Sequence, residues 1–271
     1  MSKPVDIVVY GAAGRMGQAV IRGVLESKRA RLSAALVRPR SGLADEPLDR
    51  VFGALPRDVD FATSLDPDVA CDVLVDFSGP VAFDAALALA LQRRAAFVSG
   101  TTNLREEQHS ALAGAAEVIP VLWASNFSLG VAMLARMARR VAEALPGWDC
   151  EIVELHHNRK QDAPSGTALT LGAAVAEGRG IALAEHARYE RRGQVGARAP
   201  GEIGFAALRA GDVAGEHTVF FVGEGERIEL VHRATDRDIF ARGALAAAIW
   251  LAGRDPGSYS FDQVLAPKDA L

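Results

Sequence analysis

The chain is short of cysteine, of positive net charge and of long apolar runs, and each shortage excludes something. Its two cysteines, Cys71 and Cys150, stand far apart. They form no Cys-x-x-Cys pair, zinc spacing or disulfide framework, so both thiols are expected to pack as small apolar side chains in a reducing compartment. The net charge of −4 withholds the basic footprint that nucleic-acid binding needs. Any anionic ligand must then be met by local cations and backbone dipoles. The longest apolar stretches, residues 85–91 and 244–252, are too short to span a bilayer. Asp6 interrupts the first apolar run and Gly11 starts a turn, which is not the pattern of a secretory signal. The expectation is a cytoplasmic protein with no membrane or nucleic-acid partner.

What is present fits a globular enzyme. Apolar residues make up 49% and charged residues 24%, enough for a packed core and too apolar for a disordered chain. The first half alternates short β-branched runs with Ala/Leu-rich helical runs. Strands are predicted at residues 5–10, 31–37, 73–77, 96–99 and 118–123, and helices at 16–25, 81–92 and 105–115. This alternation predicts an α/β Rossmann-type, doubly wound parallel sheet. After Asn126 the rhythm changes. A long helix over 129–145 stops at Pro146 and Gly147. A strand at 150–155 and a helix at 167–176 follow, and then a Gly- and Arg-rich stretch over 179–201 with no period. Three strand-like runs at 203–209, 217–222 and 227–232 predict a second, α+β domain with a mostly antiparallel mixed sheet. A last helix over 239–251 is expected to return to the first domain. The expected division is 1–126 with 237–271 as a dinucleotide-binding domain, and 127–236 as a substrate-binding and oligomerisation domain.

The first strand runs straight into Gly11-Ala12-Ala13-Gly14-Arg15-Met16-Gly17 and then a helix. Glycines allow a tight turn and close approach of backbone to a pyrophosphate, and the helix start offers N–H groups and positive dipole. The spacing is GxxGxxG rather than GxGxxG. At the end of the second strand, where NAD-selective folds place an acidic residue for the ribose 2′-hydroxyl, this chain has Val37 followed by Arg38, Arg40 and Ser41. These could hold a 2′-phosphate.

The segment 151–169 ends a strand in His156-His157, continues to Lys160, and opens a helix with Ser165-Gly166-Thr167. Imidazoles move protons near neutral pH, a lysine is a point charge for an anion, and a helix start favours a carboxylate. Such a group within about a dozen residues is poorly explained by packing alone.

The stretch His-His-x-x-Lys-x-Asp-x-Pro-Ser-Gly-Thr resembles the signature of the 4-hydroxy-tetrahydrodipicolinate reductase family, historically called dihydrodipicolinate reductase. The likeness extends along nearly the whole chain. Gly11–Gly17 resembles that family's GxxGRMG turn, Gly100-Thr101-Thr102 its GTTG loop, and Ser125-Asn126-Phe127-Ser128 its NFS crossover. The run from Gly211-Asp212 through His217-Thr218 resembles its RxGDxxGEHT strand. Two positions depart from the pattern: Asn103 stands in place of the loop's last glycine, and Val37 in place of an acidic residue.

The resemblance implies NAD(P)H-dependent reduction of a cyclic dicarboxylate in lysine and diaminopimelate biosynthesis. It implies that His156 donates the proton, and that Lys160 acts beside it and pairs with a substrate carboxylate. His157, Ser165, Gly166, Thr167 and Arg237 are then substrate-binding. The cofactor would lie on Gly11–Gly17 with Arg38, and against Phe77, Ser78, Gly100, Thr101, Thr102 and the backbone of Ala124, Ser125, Asn126 and Phe127. NADPH is the preferred cofactor and NADH a possible one. No metal is expected, and a homotetramer built through the second domain is. Domain closure about Asn126 and Arg237 would join cofactor and substrate. Two other readings stand beside this one: another Rossmann-type dehydrogenase of a small carboxylate, or a nucleotide-binding redox sensor without turnover.

Overall fold

The computed structural model describes residues 3–53 and 59–265. The chain forms two compact units, Met1–Phe127 with Asp238–Leu271, and Ser128–Arg237.

The first unit contains β1 (Val5–Tyr10), α1 (Arg15–Glu26), β2 (Ala30–Leu36), α2 (Asp49–Phe52), β3 (Phe61–Ala62), β4 (Val73–Asp76), α3 (Pro80–Arg93), β5 (Ala96–Ser99), α4 (Glu106–Ala116) and β6 (Pro120–Trp123). The second contains α5 (Leu129–Ala144), β7 (Asp149–His156), α6 (Gly166–Arg179), α7 (Leu183–His186), β8 (Ala187–Arg188), β9 (Ile203–Arg209), β10 (Gly215–Val222) and β11 (Arg227–Ala234). The chain then returns to the first unit with α8 (Asp238–Leu251), β12 (Gly257–Tyr259) and a 3-10 turn, Phe261–Leu265.

The first sheet has seven strands in the order β12-β6-β5-β4-β1-β2-β3, all parallel. Every residue of β4 and β5 is buried, as expected of strands covered on both faces. Phe83, Leu87, Leu112 and Ala115 of α3 and α4 pack with Val8, Leu74, Phe97 and Val121 of the sheet. Elsewhere in this unit α8 lies beside α1 and over β4, β5 and β6. A Cβ at Gly243 of α8 would sit 1.7 Å from the Phe127 carbonyl, so only glycine allows that approach. The early break at Asp6 does not expose the strand. Asp6 is fully buried and bound by Arg31 and Ser33, which satisfies a charge otherwise costly to bury. The short α2, β3 and β12 are absent from the sequence reading because four, two and three residues are too few to show a period.

The second sheet has the order β11-β10-β7-β9-β8. It is mixed, with β10 antiparallel to β11 and to β7, and β9 parallel to β7 and to β8. Parallel pairing therefore takes a larger share than strand spacing alone implies, because α6 carries the chain from β7 back to the starting edge before β9. Strand period 2 turns Cys150, Ile152, Ile203, Phe205, Val219 and Phe221 to one face, where Leu134, Ala138, Leu171 and Val175 of α5 and α6 cover them. The aperiodic stretch before β9 holds only α7 and β8 as regular structure. It is held instead by charge: Arg191 reaches both Glu151 oxygens at 2.9 and 2.8 Å, and Arg198 reaches Glu151 at 3.1 Å and Asp149 at 2.9 Å. Cys150 is buried and Cys71 half-buried. Burial pushes both thiols up to about 12, so neither is a thiolate near neutral pH.

Candidate active site

The turn after β1 lies where the strand order reverses, between β1 and β4, the position at which such sheets bind ligands. Gly11 adopts φ +83, and a Cβ there would meet the Phe77 carbonyl oxygen and the Ser78 Cα at 2.8 Å. A Cβ at Gly17 would lie 2.3 Å from the Gly11 carbonyl. The backbone N–H groups of Gly11 and Ala12 both donate to the Leu36 carbonyl at 3.0 Å, tying the turn to the end of β2. Gly14 caps α1 without a side-chain hydrogen bond, so the first-turn donors around Arg15 and Met16 have no cap of their own. This arrangement fits a dinucleotide pyrophosphate, which would supply the missing acceptors. Val37 is buried, while Arg38 and Arg40 are exposed on the loop beyond it.

The residues expected to flank the nicotinamide converge on the same edge, organised by a side chain that sequence reasoning missed. Asp76, at the end of β4, is fully buried. One oxygen accepts from the Ser78 hydroxyl at 2.6 Å and the Ser78 N–H at 3.0 Å. The other accepts from Ser99 at 2.8 Å and Thr101 at 2.7 Å. The loops after β4 and β5 are thereby fastened to one carboxylate. Phe77 packs over Gly100, where a Cβ would lie 2.1 Å from its ring, and edge-on against Phe127. Ala124 N–H donates to Ser99, and Trp123 donates to the Thr101 carbonyl at 2.8 Å. Thr102, Ser125 and Asn103 are exposed, and Asn126 is half-buried. Asn103 takes φ +58, the left-handed conformation that asparagine tolerates better than most residues. At the far edge a groove of about 550 Å³ lined by His109, Trp123 and Tyr259 contains none of the expected site residues.

In the second unit, Glu154 and His156 follow Cys150 and Ile152 on the covered face of β7. Register sets His217 of β10 opposite Glu154, and Arg209 of β9 opposite His156. Glu154 Oε1 accepts from the Ser165 N–H and from Arg209, each at 3.1 Å. Its Oε2 lies 3.1 Å from His156 Nδ1 and 3.8 Å from His217 Nε2; the first is a close contact without aligned hydrogen-bond geometry. Burial alone would push Glu154 up. His156, Ser165 and Arg209 outweigh it and hold the carboxyl at about 2. His217 is driven down to about 4 by burial and then by His156, so it is neutral near pH 7. The two imidazoles stack edge-on with centroids 5.1 Å apart.

Glu154, His156 and His217 bring donor atoms within 4.8 Å of one another, a set that by ligand type would suit zinc. Arg209 already sits on the carboxylate, however, at 3.1 Å.

Ser165 caps α6, accepting from the Ala168 N–H at 3.1 Å, and its Oγ lies 3.2 Å from His217 Nε2. Gly166 is exposed and Thr167 half-buried in the first turn. Lys160 meets both oxygens of Asp162 at 2.8 Å, an internal carboxylate where a substrate carboxylate was expected. His157 is anchored by its N–H to the Val213 carbonyl at 2.8 Å. Desolvation, then Arg159 and Arg237, lower it from the ordinary imidazole value. Arg237 is exposed after β11. Glu154, Arg209, His217 and Asp162 went unassigned as site residues. The i, i+2 spacing of Glu154 and His156 before the motif was the available signal for the first. The others needed strand register.

Comparisons with known proteins bear on this arrangement. The family model described as dihydrodipicolinate reductase, N-terminus, matches residues 5–127, and the one described as dihydrodipicolinate reductase, C-terminus, matches residues 130–265. A 4-hydroxy-tetrahydrodipicolinate reductase of Stenotrophomonas maltophilia (strain K279a) is 51% identical over 97% of this chain and 98% of its own length. One of Rhodopseudomonas palustris (strain BisB18) is 46% identical over 97% and 98%. Among solved structures, dipicolinate-bound dihydrodipicolinate reductase from Paenisporosarcina sp. TG-14 superposes with a TM-score of 0.76 at 25% identity, covering 97% of this chain and all of that one.

Proposed function

The chain belongs to the dihydrodipicolinate reductase family, and we propose that within the family's reaction His156 is the proton donor and Lys160 the principal substrate clamp. The chain is a nicotinamide-dependent oxidoreductase that reduces 4-hydroxy-tetrahydrodipicolinate to tetrahydrodipicolinate, a step of lysine and diaminopimelate biosynthesis. The observation that carries the residue assignment is the gathering of His156 and the Ser165 cap on the Glu154 carboxylate at the end of β7, with Lys160 four residues further along the same segment.

A reduced nicotinamide supplies the hydride when bound. The residues of the first unit serve to hold it: the Gly11–Gly17 turn and α1 start at the pyrophosphate, and the loops fastened to Asp76 beside the ring. Arg38 and Arg40 are the residues we assign to a 2′-phosphate, which makes NADPH the preferred cofactor and NADH a poorer one. Residues 1–126 with 237–271 then bind the cofactor, and 127–236 bind substrate. A relative's structure with dipicolinate bound supports a cyclic dicarboxylate as the ligand of the second unit. Two carboxylates need two clamps. Lys160 supplies one, by exchanging Asp162 for substrate, and the α6 start at Ser165, Gly166 and Thr167 supplies another, with His157 and Arg237 at the rim. His156 gives its proton to the ring atom conjugated with the one that receives hydride.

We further assign a homotetrameric assembly through the second unit's sheet. Across four strands its outer face carries Ala206, Val153, Thr218 and Val231 in one register row. Leu208, Val222 and Val231 are exposed, and an apolar sheet face of this kind calls for cover from a second copy. Among the described residues no helix is long and apolar enough to cross a membrane. The decisive experiment is a steady-state assay with enzymatically generated substrate and each reduced cofactor. Turnover lost in His156→Ala supports the assignment, and full turnover in that variant refutes it.

A further inference from the structure

We propose that Glu154 is the positioning residue for His156, fixing the inward imidazole nitrogen as the one that keeps its proton and the other as the one that exchanges it. The inference rests on the reading of His156 as proton donor.

Glu154 and His156 are two residues apart on β7, so the pleat turns both side chains to one face. Glu154 is 1% exposed and held from three directions. The Ser165 N–H at the start of α6 and Arg209 of β9 occupy Oε1. Oε2 is left facing two imidazoles, His156 Nδ1 at 3.1 Å and His217 Nε2 of β10 at 3.8 Å. Lys160 faces the same neighbourhood through His217, and so does His232, whose charged form burial disfavours. Of the two rings, His217 is kept neutral by burial and also has the Ser165 hydroxyl within reach. His156 is the nearer ring, and its Nδ1 is buried with no other acceptor.

An ionised carboxylate only accepts hydrogen bonds. Facing Nδ1, it selects the tautomer with hydrogen on Nδ1 and leaves Nε2 to exchange protons. Nε2 points toward Gly215, where a Cβ would lie at 3.1 Å; glycine keeps that side of the ring clear. During turnover the Nε2–H bond of the imidazolium breaks and a C–H bond forms on the substrate. The neutral ring retains Nδ1–H toward Glu154, and a proton from water restores Nε2–H. Arg209 keeps the carboxylate ionised throughout, so Glu154 orients the ring without itself taking the proton.

The test combines kinetics and spectroscopy on the full chain. The kcat–pH profiles of wild type, Glu154→Gln, His156→Asn and the double variant are measured, with NADPH affinity followed by nicotinamide fluorescence. The imidazole tautomers are read from ¹⁵N shifts of histidine-labelled wild-type protein. We expect Glu154→Gln to lower kcat by up to about 10⁴-fold, the scale of losing a tautomer-fixing carboxylate. Its alkaline limb should move to lower pH and its NADPH affinity should stay unchanged. It should add nothing in the His156→Asn background. Neutral wild-type His156 should carry its proton on Nδ1. A folded Glu154→Gln with wild-type kcat and pH profile overturns the proposal, as does an Nε2–H tautomer in the wild type. Should Glu154→Gln not fold, the tautomer decides alone. Full activity in His156→Asn overturns the proton-donor reading instead, while the tautomer still judges the Glu154–His156 pairing separately.

Discussion

Lys160 Nζ lies 2.8 Å from each carboxylate oxygen of Asp162, two residues along the same loop. Asp162 is largely exposed, and an exposed pair of this kind contributes about 0.2–1 kcal/mol. A substrate carboxylate must displace it to reach Lys160. Asp162→Asn should therefore lower KM for the dicarboxylate by up to about fivefold, the same range expressed as an equilibrium, with kcat nearly unchanged. A KM that rises in this variant would mean that Asp162 helps hold Lys160 in place rather than competing for it.

His156 and Lys160 should separate kinetically. Removing a general acid lowers kcat by roughly 10²- to 10⁴-fold, whereas removing an anion clamp also weakens ground-state binding. His156→Ala is expected to depress kcat with a modest change in KM, and Lys160→Ala to damage both. NADPH affinity should hold in both, because each residue belongs to the unit Ser128–Arg237 and the glycine turn does not. Cofactor fluorescence titration beside steady-state kinetics checks all three statements.

Cofactor choice should rest on Arg38. It is exposed beyond the buried Val37, which offers no acceptor to a ribose hydroxyl. Arg38→Ala should weaken NADPH use by about 1–3 kcal/mol, the range for a charge-assisted hydrogen bond, and leave NADH use almost untouched. The ratio of kcat/KM for the two cofactors is the measurement, and an unchanged ratio would remove Arg38 from the site.

Acid should destabilise the second unit in two steps. His217 has its pKa lowered to about 4 by burial, so between about 6.5 and 4 the unfolded chain takes up a proton that the folded one refuses, and stability falls as pH falls. Glu154, held at about 2, adds stability that is fully present above the ordinary carboxylate value and is lost as pH drops toward 2. Urea midpoints at pH 7, 5.5 and 4 should decline in the wild type. In His217→Asn the decline between pH 7 and 4 should be shallower, and an equal slope in both would show that His217 is not the group responsible.

Assembly should fail when the outer face of the second sheet is charged. Val231→Glu puts a carboxylate into the row formed with Thr218 and Val153. Light scattering is expected to report a tetramer for the wild type and a smaller species for the variant. A wild-type monomer at micromolar concentration would end the assembly proposal.

Much of the fold was legible because its signals are local. The alternation of β-branched and Ala/Leu-rich runs announced the parallel sheet, the GxxGxxG turn marked its switch point, and the motif from His156 to Thr167 announced a strand end and a helix start. Even the left-handed Asn103 was foreseeable from what an asparagine backbone tolerates. What the tertiary structure alone decided depends on register and crossover, which no local period encodes. Glu154 becomes a partner of His156, His217 and Arg209 only because β10 and β9 align on β7 as they do. Asp76 gathers the loops after β4 and β5 only because those strands are neighbours. The even share of parallel pairing in the second sheet follows from where α6 returns the chain. A one-residue slip in any of these pairings would turn the same side chains to the opposite face, with the sequence unchanged.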